Sequence, residues 1–284
     1  MNSNTPLDSP SSSVELNKNQ DEIPSISEVT ELYTEVSDSI ESLEESLQQI
    51  TLTEDEKEQI AFIRDKILKK VEEKKAQKNV KSIFYEKLLI SLCNLFTGLK
   101  ASFVEPLVNG PCIFYANHQS HLDGLALWSS LPKERRIETH PIAAKSYWQG
   151  SALKEFIAND IFNALLIDRE KETRNVDPIM LMASLLEVKQ SLIIFPEGTR
   201  GQGEVIQPFK SGLYHLAKTS PDIPIIPVYL HNLHRVMPKG SKLIVPILCD
   251  VRFGKAIAPL GEVEEKSEFL SRAQHALEEL KNAI

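Results

Sequence analysis

The sequence is poor in the residues that build staples and ligand cages. Its 284 residues include three cysteines, Cys93, Cys112 and Cys249, and no two of them form a CxxC pair. That excludes a disulfide framework and a cysteine zinc site, and it fits a reducing compartment. Basic charge is not in surplus either: 40 acidic residues against 32 Lys and Arg give a formal net charge of −8. A generic nucleic-acid binder, which needs a basic face, is excluded on that ground. No apolar run reaches the roughly 18–20 residues of a membrane-spanning helix. The longest candidate, 83–99, is broken by Glu86, Lys87, Ser91, Asn94 and Thr97. The first 24 residues hold neither the basic nor the apolar segment of a secretory signal, so a chain kept inside the cell, in the cytoplasm, is the expectation. What is present, 42% hydrophobic and 25% charged residues, is ordinary for a globular protein and enough for a real core.

Residues 1–24 are polar, Ser-rich and without periodicity, and read as a disordered tail. From Ile26 apolar residues recur at three- and four-residue steps as far as Ile50, the pattern of an amphipathic helix. Thr53 with Glu56 then forms a capping-box start, followed by Ile60, Ile63, Ile67 and Val71 on one face. The two helices predict an acidic hairpin over 25–79, able to pack on itself, on the next domain or on a second copy of the chain. A third helical segment, 80–99, is apolar around more than half of its circumference and follows a cluster of lysines from Lys66 to Lys78. Such a helix suits either a membrane interface or the core of the following domain. From about residue 110 the pattern turns α/β. Candidate strands at 112–116, 165–167, 191–195, 225–230 and 243–253 alternate with helical stretches at 122–131, 152–159, 176–189 and 210–218, and a helix closes the chain from 269. This predicts a mixed, largely parallel sheet flanked by helices, with the whole of 80–284 as one domain.

Four constellations carry chemistry. Asn117-His118-Gln119-Ser120-His121-Leu122-Asp123 joins a strand to a helix, which lets Asp123 fold back on His118. A carboxylate on one imidazole nitrogen fixes the tautomer and leaves the other free as a general base. His118, His121 and Asp123 also resemble a metal-ligand set in type but not in any recognised spacing, and no metal is expected. Phe195-Pro196-Glu197-Gly198-Thr199-Arg200 follows a buried strand, at the end where open α/β sheets bind ligands. Its arginine offers a planar fork suited to phosphate. Glu197 could accept from a ligand hydroxyl or hold Arg200. Arg169 ends another strand and offers a second cation. Ile225-Ile226-Pro227 is an apolar strand in which Pro227 marks an edge or a bulge, either structural or lining an apolar channel.

In this order, Asn117-His118 with Asp123, Arg169, Phe195-Pro196-Glu197-Gly198-Thr199-Arg200 and Ile225-Ile226-Pro227 resemble the four blocks of the glycerolipid acyltransferases. The likeness is strongest to the 1-acylglycerol-3-phosphate (lysophosphatidic acid) acyltransferases and covers roughly 80–260. Gly201 stands where that family commonly has Ser. The resemblance implies the family's α/β fold and transfer of a fatty acyl group from acyl-CoA or acyl carrier protein to the free hydroxyl of 1-acylglycerol 3-phosphate. It implies His118 and Asp123 as the catalytic pair, and Arg169, Glu197, Gly198, Thr199 and Arg200 around the acceptor phosphate. No cofactor beyond the thioester co-substrate is implied. Long acyl chains imply a membrane surface as partner, with 80–99 as a docking helix. Sister readings are transfer to glycerol 3-phosphate or another lysophospholipid. A lipid-binding scaffold and thioester hydrolysis complete the alternatives, and residues 25–79 could mediate self-association.

Charge is unevenly distributed. Residues 1–79 hold 18 acidic and 9 basic residues. The acidity therefore belongs to the tail and hairpin, and the remainder of the chain is close to neutral, which leaves it free to meet anionic lipid.

Overall fold

A computed structural model describes residues 52–76, 80–168, 176–201, 205–236 and 245–283. The expected tail and the first hairpin helix lie outside those residues. The described chain opens on the capping box anticipated from sequence. The Thr53 side chain accepts from the Glu56 N–H at 3.2 Å, and the Glu56 carboxylate accepts from the Thr53 N–H at 2.9 Å. Helix α1 (Glu54–Lys75) follows, and its buried face, Ile60, Ile67 and Val71, packs onto the rest of the chain. Residues 53–284 fall into one compact unit that takes in this helix.

Three lysines of α1 are internal fasteners rather than part of a free basic patch. Lys70 Nζ donates to the Asn159 carbonyl at 2.9 Å, Lys74 Nζ to the Ile161 carbonyl at 2.5 Å, and Lys75 pairs with Glu138 at 2.5 Å. Two of them satisfy carbonyls at the end of a π-helical turn, Ile157–Ile161, where a cation is favoured. Burial pulls the Lys74 ammonium down to about 8, the cost of placing a charge there.

Helix α2 (Val80–Thr97) buries Ser82, Cys93 and Thr97 and turns much of its apolar surface outward. Phe84 is 62% exposed and Leu95 70%, with Leu88 and Leu92 exposed between them. Four apolar residues at i, i+4, i+8 and i+11 make one outward stripe.

Strands β1 (Lys100–Phe103), β2 (Ile113–Ala116), β3 (Thr139–Ala144), β4 (Leu165–Ile167), β5 (Ser191–Ile194), β6 (Ile225–His231) and β7 (Asp250–Phe253) form one sheet in the order β1-β7-β6-β2-β5-β3-β4. Every neighbouring pair is parallel except β6 with β7. All four residues of β2 and of β5 are buried, as expected of central parallel strands covered on both faces.

Helices α3 (Asp123–Ser130), α4 (Lys133–Ile137), α5 (Lys145–Trp148), α6 (Ala152–Phe156), α7 (Pro178–Glu187), α8 (Gly212–Thr219), α9 (Leu233–Val236) and α10 (Lys266–Asn282) flank or connect them. The Asp177 side chain caps α7 by accepting from Ile179 N–H at 2.6 Å and Met180 N–H at 3.2 Å, with Pro178 at the first position, a favoured start. Helix α10 buries Phe269, Ala273, Leu277 and Leu280 against β6, and Tyr115 of β2 donates to the Ala273 carbonyl at 2.8 Å.

One expectation is corrected. Strand β6 lies inside the sheet, between β2 and β7, so Pro227 is not on an edge. A residue's N and C=O point to the same side of a strand. The Pro227 carbonyl accepts from Gly254 N–H at 2.8 Å, so its missing N–H faces the place where β7 has just ended. The β6–β7 register begins one residue later, at Val228 with Phe253. Gly254 is required there, because a Cβ would meet Pro227 Cγ at 2.9 Å and Leu280 Cδ1 at 2.8 Å.

Candidate active site

The carboxyl ends of β2 and β5 are neighbours, so the segments that leave them, 117–123 and 195–201, meet above the sheet. Asn117 is fully buried and continues β2 by means of its side chain. Its amide donates to the Leu230 carbonyl at 3.0 Å and accepts from the Leu230 N–H at 2.8 Å. This pins the next residue. His118 Nδ1 lies 2.9 Å from Asp123 Oδ2, and Asp123 is 1% exposed. The same oxygen accepts from Gln119 N–H at 2.6 Å and Ser120 N–H at 2.8 Å, which fixes the carboxylate and with it the ring. Nδ1 is thereby the protonated nitrogen and Nε2 the free lone pair. The imidazole also stacks on Phe195, with ring centroids 4.3 Å apart and planes 24° from parallel.

The second segment is stitched to the first. Glu197, 2% exposed, accepts from His118 N–H at 2.7 Å through one oxygen and from Gln207 N–H at 3.0 Å through the other. Gly201 N–H in turn donates to the His118 carbonyl at 2.8 Å. Both backbone groups of His118 are thus held by the 197–201 turn. Burial pushes the Glu197 carboxyl up, against the two N–H bonds that pull it down. Glu197 is sited beneath the turn with its carboxylate committed to backbone, and it does not contact Arg200. A Cβ on Gly201 would come to 3.3 Å from Gln207 Cγ and 3.4 Å from Glu197 Oε2, so the glycine keeps this junction narrow.

Gly198 has φ +70°, a conformation that favours glycine, and a Cβ there would meet the Lys210 side chain at 2.8 Å. Thr199 is exposed beside it. Lys210 therefore lies against the turn, a cation that the sequence signals only as part of Pro208-Phe209-Lys210-Ser211-Gly212. Among the described residues Arg200 is held by His121 and not by a carboxylate: its guanidinium donates to His121 Nε2 and lies 5.9 Å from the Tyr147 ring centroid. His121 Nδ1 is 2.8 Å from the Tyr147 hydroxyl. With both ring nitrogens so engaged, His121 does not converge with His118 and Asp123 on one point. Arg169 lies outside the described residues. Its neighbour Asp168 accepts from Lys145 at 3.1 Å, joining the ends of β3 and β4.

The structure thus brings His118, Asp123, Glu197, Gly198, Thr199 and Arg200 to one end of the sheet, while Pro227 lies within it. A cavity of about 450 Å³ opens between α1 and β4, with Phe62, Ile63, Ile67, Leu166, Ile167 and Leu181 among its walls. It runs along edge strand β4, and Lys66, Lys70, Lys145 and Asp168 line it as well.

Comparison with known proteins gives concordant results. Residues 97–231 match the family model described as acyltransferase. The chain is 36% identical over 152 residues to 1-acyl-sn-glycerol-3-phosphate acyltransferase alpha of Mus musculus, a match covering 50% of this chain and 48% of that protein. It is 28% identical over 176 residues to 1-acyl-sn-glycerol-3-phosphate acyltransferase of Cocos nucifera, covering 60% and 53%. The chain spans about half the length of the curated relatives it matches. Among solved structures, the crystal structure of the 1-acyl-sn-glycerophosphate (LPA) acyltransferase PlsC from Thermotoga maritima is similar in fold. Its TM-score is 0.56 at 19% identity, over 72% of this chain and 82% of that one. The segment that carries the site thus matches the acyltransferase family model and is similar to relatives named as 1-acyl-sn-glycerol-3-phosphate acyltransferases.

Proposed function

We propose that this protein is an acyltransferase that moves a fatty acyl group from acyl-CoA or acyl carrier protein to the free hydroxyl of 1-acylglycerol 3-phosphate, giving phosphatidic acid. The observation that carries the reading is the His118–Asp123 pair, with Nε2 free and the phosphate-type turn 197–201 bonded to the same histidine. Nε2 removes the proton from the acceptor hydroxyl as its oxygen attacks the thioester carbonyl. The tetrahedral intermediate collapses, the C–S bond breaks, and the imidazolium returns the proton to the departing thiolate. Asp123 stabilises the imidazolium and keeps the tautomer. No acyl-enzyme is needed.

Arg200 and the Gly198–Thr199 turn hold the acceptor phosphate, with Lys210 adding charge; Arg169 is assigned to the same task by its position after β4. Glu197 acts by fixing the turn to His118. The apolar part of the cavity beside α1, with Phe62, Ile63 and Leu166 in its wall, suits an acyl chain. The outward stripe of α2, with Lys81 and Lys87 exposed on the same helix, suits the interface of a bilayer. No helix among the described residues is long and apolar enough to cross one. Peripheral docking on the cytoplasmic face is the arrangement we propose.

Incubating the chain with radiolabelled acyl-CoA and a panel of 1-acylglycerol 3-phosphate, glycerol 3-phosphate and other lysophospholipids tests the reading. The expected product is labelled phosphatidic acid. Label appearing only in another acylated lipid reassigns the acceptor, and label appearing only as free fatty acid refutes acyl transfer.

A further inference from the structure

Among the described residues Arg200 is oriented by His121 and by no carboxylate. The bonding inventory of this small cluster has one solution. A guanidinium only donates, so His121 Nε2 accepts and carries no proton. Burial and the nearby Arg200 both push the His121 imidazole below its ordinary value, which keeps it neutral. A neutral ring with Nε2 bare must be protonated at Nδ1. The 2.8 Å contact is then Nδ1–H donating to the Tyr147 oxygen. With its oxygen used as acceptor, the hydroxyl proton of Tyr147 is free to point elsewhere, and Tyr147 is 41% exposed. Lys154 adds a cation from α6: its Nζ donates to the Tyr147 carbonyl at 3.2 Å and lies 4.2 Å from the ring centroid. Arg200, Lys154 and the Tyr147 hydroxyl thus present donors at the mouth of the site, and no carboxylate among the described residues receives them.

We propose that His121 is a positioning residue for a phosphate clamp, holding Arg200 by its bare nitrogen and turning the Tyr147 hydroxyl outward as a second donor. This rests on the acyl-transfer reading above. The ligand is a phosphate group of a substrate, and two substrates carry one: the acceptor's monoester and the nucleotide of acyl-CoA. A protonated His121 would lose the acceptor for Arg200 and repel it. Among the described residues the groups facing the imidazole are Arg200, Lys154, His118, Asp123 and Tyr147, and the one carboxylate in that set is committed to His118.

Steady-state kinetics of Tyr147→Phe, His121→Leu and His121→Gln test the clamp, with melting temperature as a folding control. Tyr147→Phe and His121→Leu should each raise KM for one phosphate-bearing substrate about tenfold, the scale of one hydrogen bond to a charged group, with a smaller effect on kcat. His121→Gln, which keeps an acceptor for Arg200 and a donor for Tyr147, should recover most of that loss. A rise in acceptor KM identifies the monoester. A rise for acyl-CoA but not for an acyl-phosphopantetheine thioester identifies the nucleotide, and either supports the clamp. As pH falls below the ordinary histidine range the wild-type KM should climb more steeply than that of His121→Gln, since ionisation of the substrate phosphate is common to both. Unchanged KM values in Tyr147→Phe and His121→Leu, or a His121→Gln as impaired as His121→Leu, overturn the proposal. If the wild type transfers no acyl group to any acceptor, the functional reading fails separately. Equilibrium dialysis with radiolabelled 1-acylglycerol 3-phosphate and with radiolabelled acyl-CoA then decides the clamp: weaker binding of either by Tyr147→Phe supports it, and equal binding of both overturns it.

Discussion

His118 depends on more than its carboxylate partner. Asp123 sets its tautomer, Phe195 supports its ring, and Glu197 and Gly201 hold its backbone. Glu197→Gln should therefore impair catalysis without touching substrate. Both Glu197 oxygens face backbone N–H groups, so an amide places a donor against a donor. The expected cost is about 1–3 kcal/mol of stability, read by denaturant unfolding, together with a fall in kcat; a Glu197→Gln variant with wild-type stability and kcat would contradict this role. The pair His118–Asp123 is legible in the sequence because five residues across one strand–helix junction have few ways to fold. The support from Glu197 is not, since it joins backbone to a side chain 79 positions away, and a carboxylate in a turn gives no sign of facing inward. The Arg200–His121 contact is hidden for the same reason.

His140 makes a separate prediction at this scale. It is fully buried between the Asn163 carbonyl and the Gln190 side chain, and burial holds its pKa below the ordinary 6.5. The unfolded chain then binds a proton that the folded chain refuses. The stability His140 confers is present above pH 6.5 and is lost as pH falls from there through its folded pKa. Urea midpoints between pH 7 and pH 5 should show the decline, and His140→Gln should flatten it.

Among the elements, α2 divides its two faces in a way that chemistry can test. Phe84, Leu88, Leu92 and Leu95 are exposed, whereas Cys93 and Thr97 are buried. Phe84→Asp with Leu88→Asp should leave the melting temperature nearly unchanged, as surface substitutions do, and should abolish flotation with anionic vesicles. Retained flotation would argue against α2 as the docking helix. The helix itself is evident from sequence, but which side it buries is not, because apolar residues surround more than half of it and the neighbours decide. The lysines upstream look like a membrane patch in sequence, and three of them are spent on carbonyls and Glu138 instead.

Strands follow the same logic. Strands β2, β5 and β6 are recognisable as apolar runs. Strand β3, Thr-His-Pro-Ile-Ala-Ala, lacks that signature and is formed by pairing with β5 and β4. The stretch 243–253 looks continuous, but of its described residues, 245–253, only Asp250–Phe253 forms a strand, with Pro246 ahead of it.

For the whole molecule, the sequence excess of acid in residues 1–79 leaves the remainder near neutral, compatible with an anionic surface. All three cysteines are buried in the described chain, and burial pushes the Cys249 thiol up to about 12. Buried thiols with raised pKa are unreactive. A thiol reagent at pH 8 should thus titrate none of the three in the native protein and all three in denaturant, and fast labelling of any one would show local opening.

The base proposed for acyl transfer to a phosphate-bearing acceptor is His118. The most direct test of that role is the rate of labelled phosphatidic acid formation from acyl-CoA and 1-acylglycerol 3-phosphate by wild type, His118→Ala and Asp123→Asn of equal thermal stability. Loss of a positioned base predicts a fall of about 10²–10⁴-fold in His118→Ala and a large fall in Asp123→Asn. Rates equal to wild type in both folded variants would contradict the account.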